Sequence, residues 1–182
     1  MLDKVPDFNK IAKQLIQDAQ TIAEVEMINF VMRNFAEQGF MDSTFQPWAE
    51  RKLDDDSGRA VLTKSAALRD SVKLTQSSPE RVIVGSDAIH AHIHNEGGII
   101  NIPITKKMRK FFWFKYYQIA DKKGNIVSGS ATEASMYKAM ALSRKTHLTV
   151  KMPKRQFMGN SQTFNRDIDA KFLKMIERRF KT

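Results

Sequence analysis

The chain has 182 residues, long enough for a well-cored domain that needs no disulfide or metal staple. It contains no cysteine, which excludes disulfides and thiolate zinc motifs, and no run of 18 apolar residues, which excludes a transmembrane helix. The net charge of +10 is uneven: residues 1–60 hold 7 basic against 11 acidic side chains and residues 61–182 hold 23 against 9, so the basic part suits an acidic partner surface or nucleic acid.

Asp3, Lys4 and Asp7 interrupt the first residues, which lack the apolar stretch of a secretory signal. Pro6-Asp7 opens a long helical pattern with Asp7 as N-cap. Phe8, Ile11, Ala12, Leu15, Ala19, Ile22 and Ala23 recur at the three-and-four spacing of one face. The stripe then drifts to Met27, Phe30, Val31 and Phe35, and Gly39 is the expected stop. At ~1.5 Å per residue this helix spans about 45 Å.

Residues 40–60 read as irregular, with Phe45, Pro47 and Trp48 as large groups in a polar run. Asp54-Asp55-Asp56 begins like a calcium loop, but Ser57-Gly58-Arg59 does not continue one, so it reads as a solvated loop. Thr63 to Asp70 reads as a short helix. Strands at 71–76 and 81–85 then form a hairpin around Ser77-Ser78-Pro79-Glu80.

After Val82-Ile83-Val84, the polar Gly85-Ser86-Asp87 stops the strand. Ala88 to His94 reads as a short helix closed by Gly97-Gly98, with positive φ expected at one of the two at least. His90, His92 and His94 invite a metal reading, with Asp87 and Glu96 the nearby carboxylates. On a helix only His90 and His94 share a face, so the favoured reading is a packed, hydrogen-bonded histidine and no cofactor.

Ile99 to Ile104 reads as an edge strand because it contains Pro103. Thr105 can cap a helix over Lys106, Lys107, Met108, Arg109, Lys110, Phe111, Phe112, Trp113, Phe114, Lys115, Tyr116 and Tyr117. Its aromatics surround most of the helix, so one core face does not bury them all. Three uses remain open: a subunit interface, stacking on nucleic acid, or a membrane surface, the last disfavoured by the dispersion around the wheel. Asp121 to Thr146 is the weakest fold signal, with a modest helical run from Thr132 to Leu142 in what reads as a mobile excursion over 105–146.

His147 to Met152 alternates as a strand, and Pro153 ends it. Phe164, Ile168, Phe172, Ile176 and Phe180, widened by Leu173 and Met175, mark a C-terminal helix. Ser161 caps it, and Arg178, Arg179 and Lys181 oppose its dipole. Asp167 and Asp169 lie two residues apart on different faces, as solvated charges rather than a catalytic pair. No phosphate loop, His-Glu-x-x-His or nucleophile elbow occurs, so the sequence offers no enzyme signature.

Several motifs fall in a telling order. Trp48 precedes Leu62-Thr63-Lys64-Ser65-Ala66-Ala67-Leu68-Arg69-Asp70-Ser71. Then come Val82-Ile83-Val84-Gly85-Ser86 and Ala91-His92-Ile93-His94-Asn95-Glu96-Gly97-Gly98, and finally Pro153-Lys154-Arg155-Gln156-Phe157-Met158-Gly159. This series resembles the phage virion morphogenesis family, the tail-completion proteins of Mu-like phages, over roughly residues 45–180. Two positions depart from the pattern: Ala66 stands where glycine is usual, and Gln156 where proline is common.

The fold expected is one α+β domain over 1–182, with a long N-terminal helix, a small mostly antiparallel sheet and a C-terminal helix packed on that sheet. The resemblance implies a structural protein of the phage tail or neck, made in the host cytoplasm. It would act as a ring of identical subunits that contacts tail-tube and head-connector proteins, with weak non-specific DNA contact at most and no membrane. The rivals are a nucleic-acid module built on 106–117 and a metal-dependent hydrolase using His90, His92 and His94.

Overall fold

The computed structural model describes residues 6–51 and 59–181, so the Asp54-Asp55-Asp56 loop lies outside the described residues. In chain order the elements are α1 (Phe8–Glu37), β1 (Gly39–Met41), β2 (Phe45–Pro47), α2 (Ala67–Asp70), β3 (Val72–Ser78), β4 (Arg81–Ser86), α3 (Ala91–Glu96), β5 (Gly98–Pro103), α4 (Lys106–Ile119), α5 (Ala131–Leu142), β6 (His147–Met152) and α6 (Gln162–Phe180). They form two compact units: one from residues up to Gly97 together with those from Pro153 onward, the other from Gly98 to Met152.

In the first unit, Asp7 caps α1 by accepting the Lys10 N–H at 3.1 Å. The helix ends at Glu37, and its C-cap Gln38 immediately precedes the expected glycine. Gln38 takes the left-handed conformation (φ 59°) and its N–H returns to Asn34 O, while Gly39 opens a short β1–β2 hairpin in place of the irregular run expected over 40–60. Only the last third of α1 is buried, through Phe30, Val31, Asn34 and Phe35. These join Phe40, Trp48, Leu68, Val72, Ala91 and Phe157 in one core.

The hairpin β3–β4 pairs Val72 with Ser86 and Ser78 with Arg81, with a bulge at Thr75. Both strands lie against α1. Helix α6 corrects one expectation: it packs along α1 and not on a sheet. The physical reason is that every sheet among the described residues has two strands, too narrow to cover a 19-residue amphipathic helix, whereas α1 offers a long stripe. Phe164 meets Phe30 with ring centroids 5.0 Å apart, and Arg179–Asp18 (2.7 Å) and Lys171–Glu26 (2.5 Å) tie the two helices along their length. The stripe's outer members Leu173, Ile176 and Phe180 remain exposed.

The helix expected over 63–70 shortens to α2, because Leu62 (φ 61°) and Ala66 (φ 55°) both adopt left-handed backbone. The alanine that departs from the family pattern therefore occupies a position suited to glycine. An L-residue there costs ~1–2 kcal/mol, partly offset by the smaller entropy that alanine loses on folding. We expect Ala66→Gly to raise stability by about 0.5–1 kcal/mol, read as a higher denaturant midpoint. A lower midpoint would mean that this conformation carries no strain.

The second unit pairs β5 with β6 from Gly98↔Met152 to Pro103↔His147. Thr105 caps α4 by accepting the Met108 N–H at 3.2 Å, as its position predicted. Helices α4 and α5 pack as a pair around Phe112, Tyr116, Ile119, Ala120, Ala134, Tyr137 and Ala141. The stretch with the weakest sequence signal thus forms a helix that supplies Ala134, Tyr137 and Ala141 to this core. Across the described residues of both units, no helix is long and apolar enough to cross a membrane.

Candidate functional site

Three of the motifs that carry the family resemblance, those of Trp48, Asn95 and the 153–159 segment, meet around Phe157, which is fully buried. Its ring lies 5.1 Å from that of Phe35, which in turn meets Trp48 edge-on at 5.4 Å. The segment around it lies outside helix and strand, so its backbone groups need side-chain partners. They find them on three other segments. Asn34 Nδ2 donates to Phe157 O (3.1 Å), and Asn95 Oδ1 accepts from both Phe157 N (3.0 Å) and Met158 N (3.1 Å). Trp48 Nε1 donates to Gln156 O at 2.6 Å. That contact uses a backbone carbonyl, which proline also has, so the Gln156 departure leaves it intact.

Arg155 is buried. It donates through Nε to Ala49 O (2.8 Å) and through Nη2 to Glu50 O (3.0 Å), while its own N–H donates to His94 O (2.8 Å). Ser161 Oγ donates to Met41 O (2.7 Å) and accepts the Phe164 N–H, so one hydroxyl both caps α6 and ties it to β1. Asn34 and Ser161 are the two members of this network whose tertiary role the sequence reading did not single out. The available signal for Asn34 was a polar residue inside the apolar stripe between Val31 and Phe35.

The remaining motif residues close the hairpin and the turn after α3. Leu68 is buried under the hairpin. Ser71 Oγ and Ser86 Oγ share a hydrogen bond of 2.6 Å, joining the start of β3 to the end of β4. Gly85 lies beside the bulge, where an added Cβ would sit 3.0 Å from Thr75 Cγ2, and Val84 packs against the core. Gly97 (φ 72°, ψ −172°) terminates α3 in a region open essentially to glycine alone, and Gly98 follows at φ 143°. Ile93 and Pro153 are half-buried, and Gly159 has φ 146°.

Helix α3 separates the three histidines. His90 precedes it as N-cap and meets His94 edge-on at 5.6 Å, while the exposed His92 falls on another face. Among the described residues no three His, Asp or Glu side chains come together as metal ligands. His94 Nδ1 is buried without a hydrogen-bond partner among those residues. Burial first, then His90 and Arg155, hold the His94 pKa below the ordinary histidine value. Burial and the neighbouring Arg51 lower that of Arg155 in the same direction.

In the second unit the basic and aromatic set of α4 divides in two. Phe112 and Tyr116 are buried in the unit's own core, and Trp113 packs against it. Arg109 turns inward to cap the end of α5, donating to the carbonyls of Ala141, Ser143 and Lys145. Lys106, Lys110, Phe111, Phe114 and Tyr117 face outward, with Lys115 Nζ 6.0 Å from the Phe111 ring centre.

The convergence on Phe157 is architectural: neutral amides, a hydroxyl and an arginine holding backbone groups. No nucleophile paired with a base appears in it. No curated protein and no solved structure matches the chain. The family model for phage virion morphogenesis proteins does match, over residues 7–177. With nearly its whole length aligned, the chain belongs to the phage virion morphogenesis family.

Proposed function

We propose that this protein is a tail-completion or head–tail joining subunit of a phage or prophage virion, working as one member of a ring of identical copies. Its role is structural: it contacts tail-tube and head-connector proteins by surface complementarity and catalyses nothing. The observation that carries the reading is the outer face of α4, where Phe111, Phe114 and Tyr117 are each at least half exposed. Three large aromatics left in water on one short helix suit an interface whose centre excludes solvent. The lysines at 106, 107 and 110 supply a polar rim beside them.

The test is self-association of the full chain, followed by sedimentation velocity over a concentration series. Phe114→Ser combined with Tyr117→Ser should weaken association by about thirtyfold or more, because the loss of even one central aromatic anchor costs ~2 kcal/mol. Circular dichroism should stay unchanged, since both side chains lie outside the core. Phe112→Ala is the contrasting variant and should destabilise the second unit itself. A wild-type chain that stays monomeric at every concentration would overturn the ring. Duplex-DNA binding that falls steeply with salt and is lost in Lys106→Ala/Lys110→Ala would favour the nucleic-acid reading of the same face.

A further inference from the structure

We propose that the pocket bounded by Arg51, Lys64, His90, His94 and Arg155 is a docking site for an acidic peptide segment of a partner protein, with a carboxylate entering among the cations. The pocket lies within the first unit and holds about 300 Å³, at the small end for ligand sites and enough for one or two side chains. None of the described residues lining it is acidic. Arg51 donates to the carbonyls of Arg59 and Ala60, and Arg155 to those of Ala49 and Glu50. Backbone acceptors of this kind fix the two guanidinium groups in place but bring no full countercharge. The cost of that arrangement falls on the pocket's own groups: Arg155 and His94 are both displaced toward their neutral forms by burial and by the neighbouring positive groups. An incoming carboxylate would reverse the electrostatic part of that displacement.

Two further features favour a peptide over a nucleic-acid backbone. The lining includes Val61, Leu62 and Leu68, which match an apolar residue beside the acidic one and match nothing on a chain of phosphates. A duplex also presents its charges along a surface and needs a row of cations, whereas these converge on one concavity. The wall carrying Lys64 and Ser65 is bracketed by Leu62 and Ala66, both in left-handed backbone, and strain of this kind gathers at ligand clamps. This proposal stands apart from the assembly reading, which rests on the outer face of α4.

The experiment is fluorescence anisotropy on the full-length chain, using a fluorescein-labelled peptide containing Leu-Glu-Glu-Leu and its analogue with both glutamates replaced by glutamine. Saturable binding of the acidic peptide, at least about tenfold tighter than its analogue, is expected. Lys64→Glu should weaken it by at least about tenfold, because it sets like charges against each other, while the melting temperature stays unchanged at this exposed position. Equal binding of the two peptides, or binding indifferent to Lys64→Glu, would overturn the proposal. So would a labelled duplex binding in the peptide's place and losing affinity in Lys64→Glu. Peptide binding that emerges only when Asp54, Asp55 and Asp56 are replaced by asparagine would also overturn it, because the chain's own carboxylates would then be the occupant.

Discussion

Phe157→Ala should lower the unfolding free energy of the first unit by about 3–5 kcal/mol, the range for removing a fully buried phenylalanine. The site offers little room to collapse. Phe35 lies tilted against the ring at 5.1 Å, and backbone atoms on both sides of it are fixed by Asn34, Asn95 and Trp48. The chain has two tryptophans, one in each unit, so a Trp113→Phe background leaves Trp48 as a reporter on this core. In that background the denaturant midpoint should fall with little change in slope. A loss below about 1 kcal/mol, ordinary for any point variant, would mean that Phe157 is not the centre of this core.

Asn34→Asp is the sharper of the two large effects because it changes almost no volume. In the wild type the amide nitrogen donates to Phe157 O and the amide oxygen accepts from Met41 N at 3.3 Å. An ionised carboxylate would keep the second bond and turn an acceptor against the Phe157 carbonyl. At pH 8 the cost should be about 3–5 kcal/mol, as for an uncompensated buried charge. Burial and that carbonyl raise the folded-state pKa of the introduced carboxyl above its unfolded value of about 3.9. The folded state therefore keeps a proton that the unfolded state has released, and stability is lost as pH rises through this window. Lowering the pH toward 5 should recover much of the deficit, because the protonated carboxyl donates to Phe157 O. The wild type must be followed in parallel. His94 has a lowered folded pKa, so the unfolded chain takes a proton first and wild-type stability falls below about pH 6.5. If the difference between variant and wild type were flat across this range, the amide's orientation would be wrong.

The sequence by itself determined whatever depends on near neighbours in the chain. Asp7, Thr105 and Ser161 each cap the helix expected of them, since capping needs only a side-chain oxygen two or three residues before a free N–H. The β3–β4 hairpin, β6 and the glycine turn at Gly97 were legible for the same reason: alternation, turn residues and backbone freedom are local properties. The ordered motifs were enough to point to the family. Tertiary structure alone decided which surfaces meet. The period of α6 marks an apolar stripe but not its partner, and the choice of α1 over a sheet followed from strands that, among the described residues, pair only in twos. The aromatics of α4 read as one undivided set in sequence. Their division into the buried Phe112 and Tyr116 and the exposed Phe111, Phe114 and Tyr117 required α5, whose own pattern is faint. Asn34 joins Phe157 across 123 positions and Trp48 joins Gln156 across 108. Polar pairings at such separations leave no period to read, because they exist only once the packed core has withdrawn both partners from water.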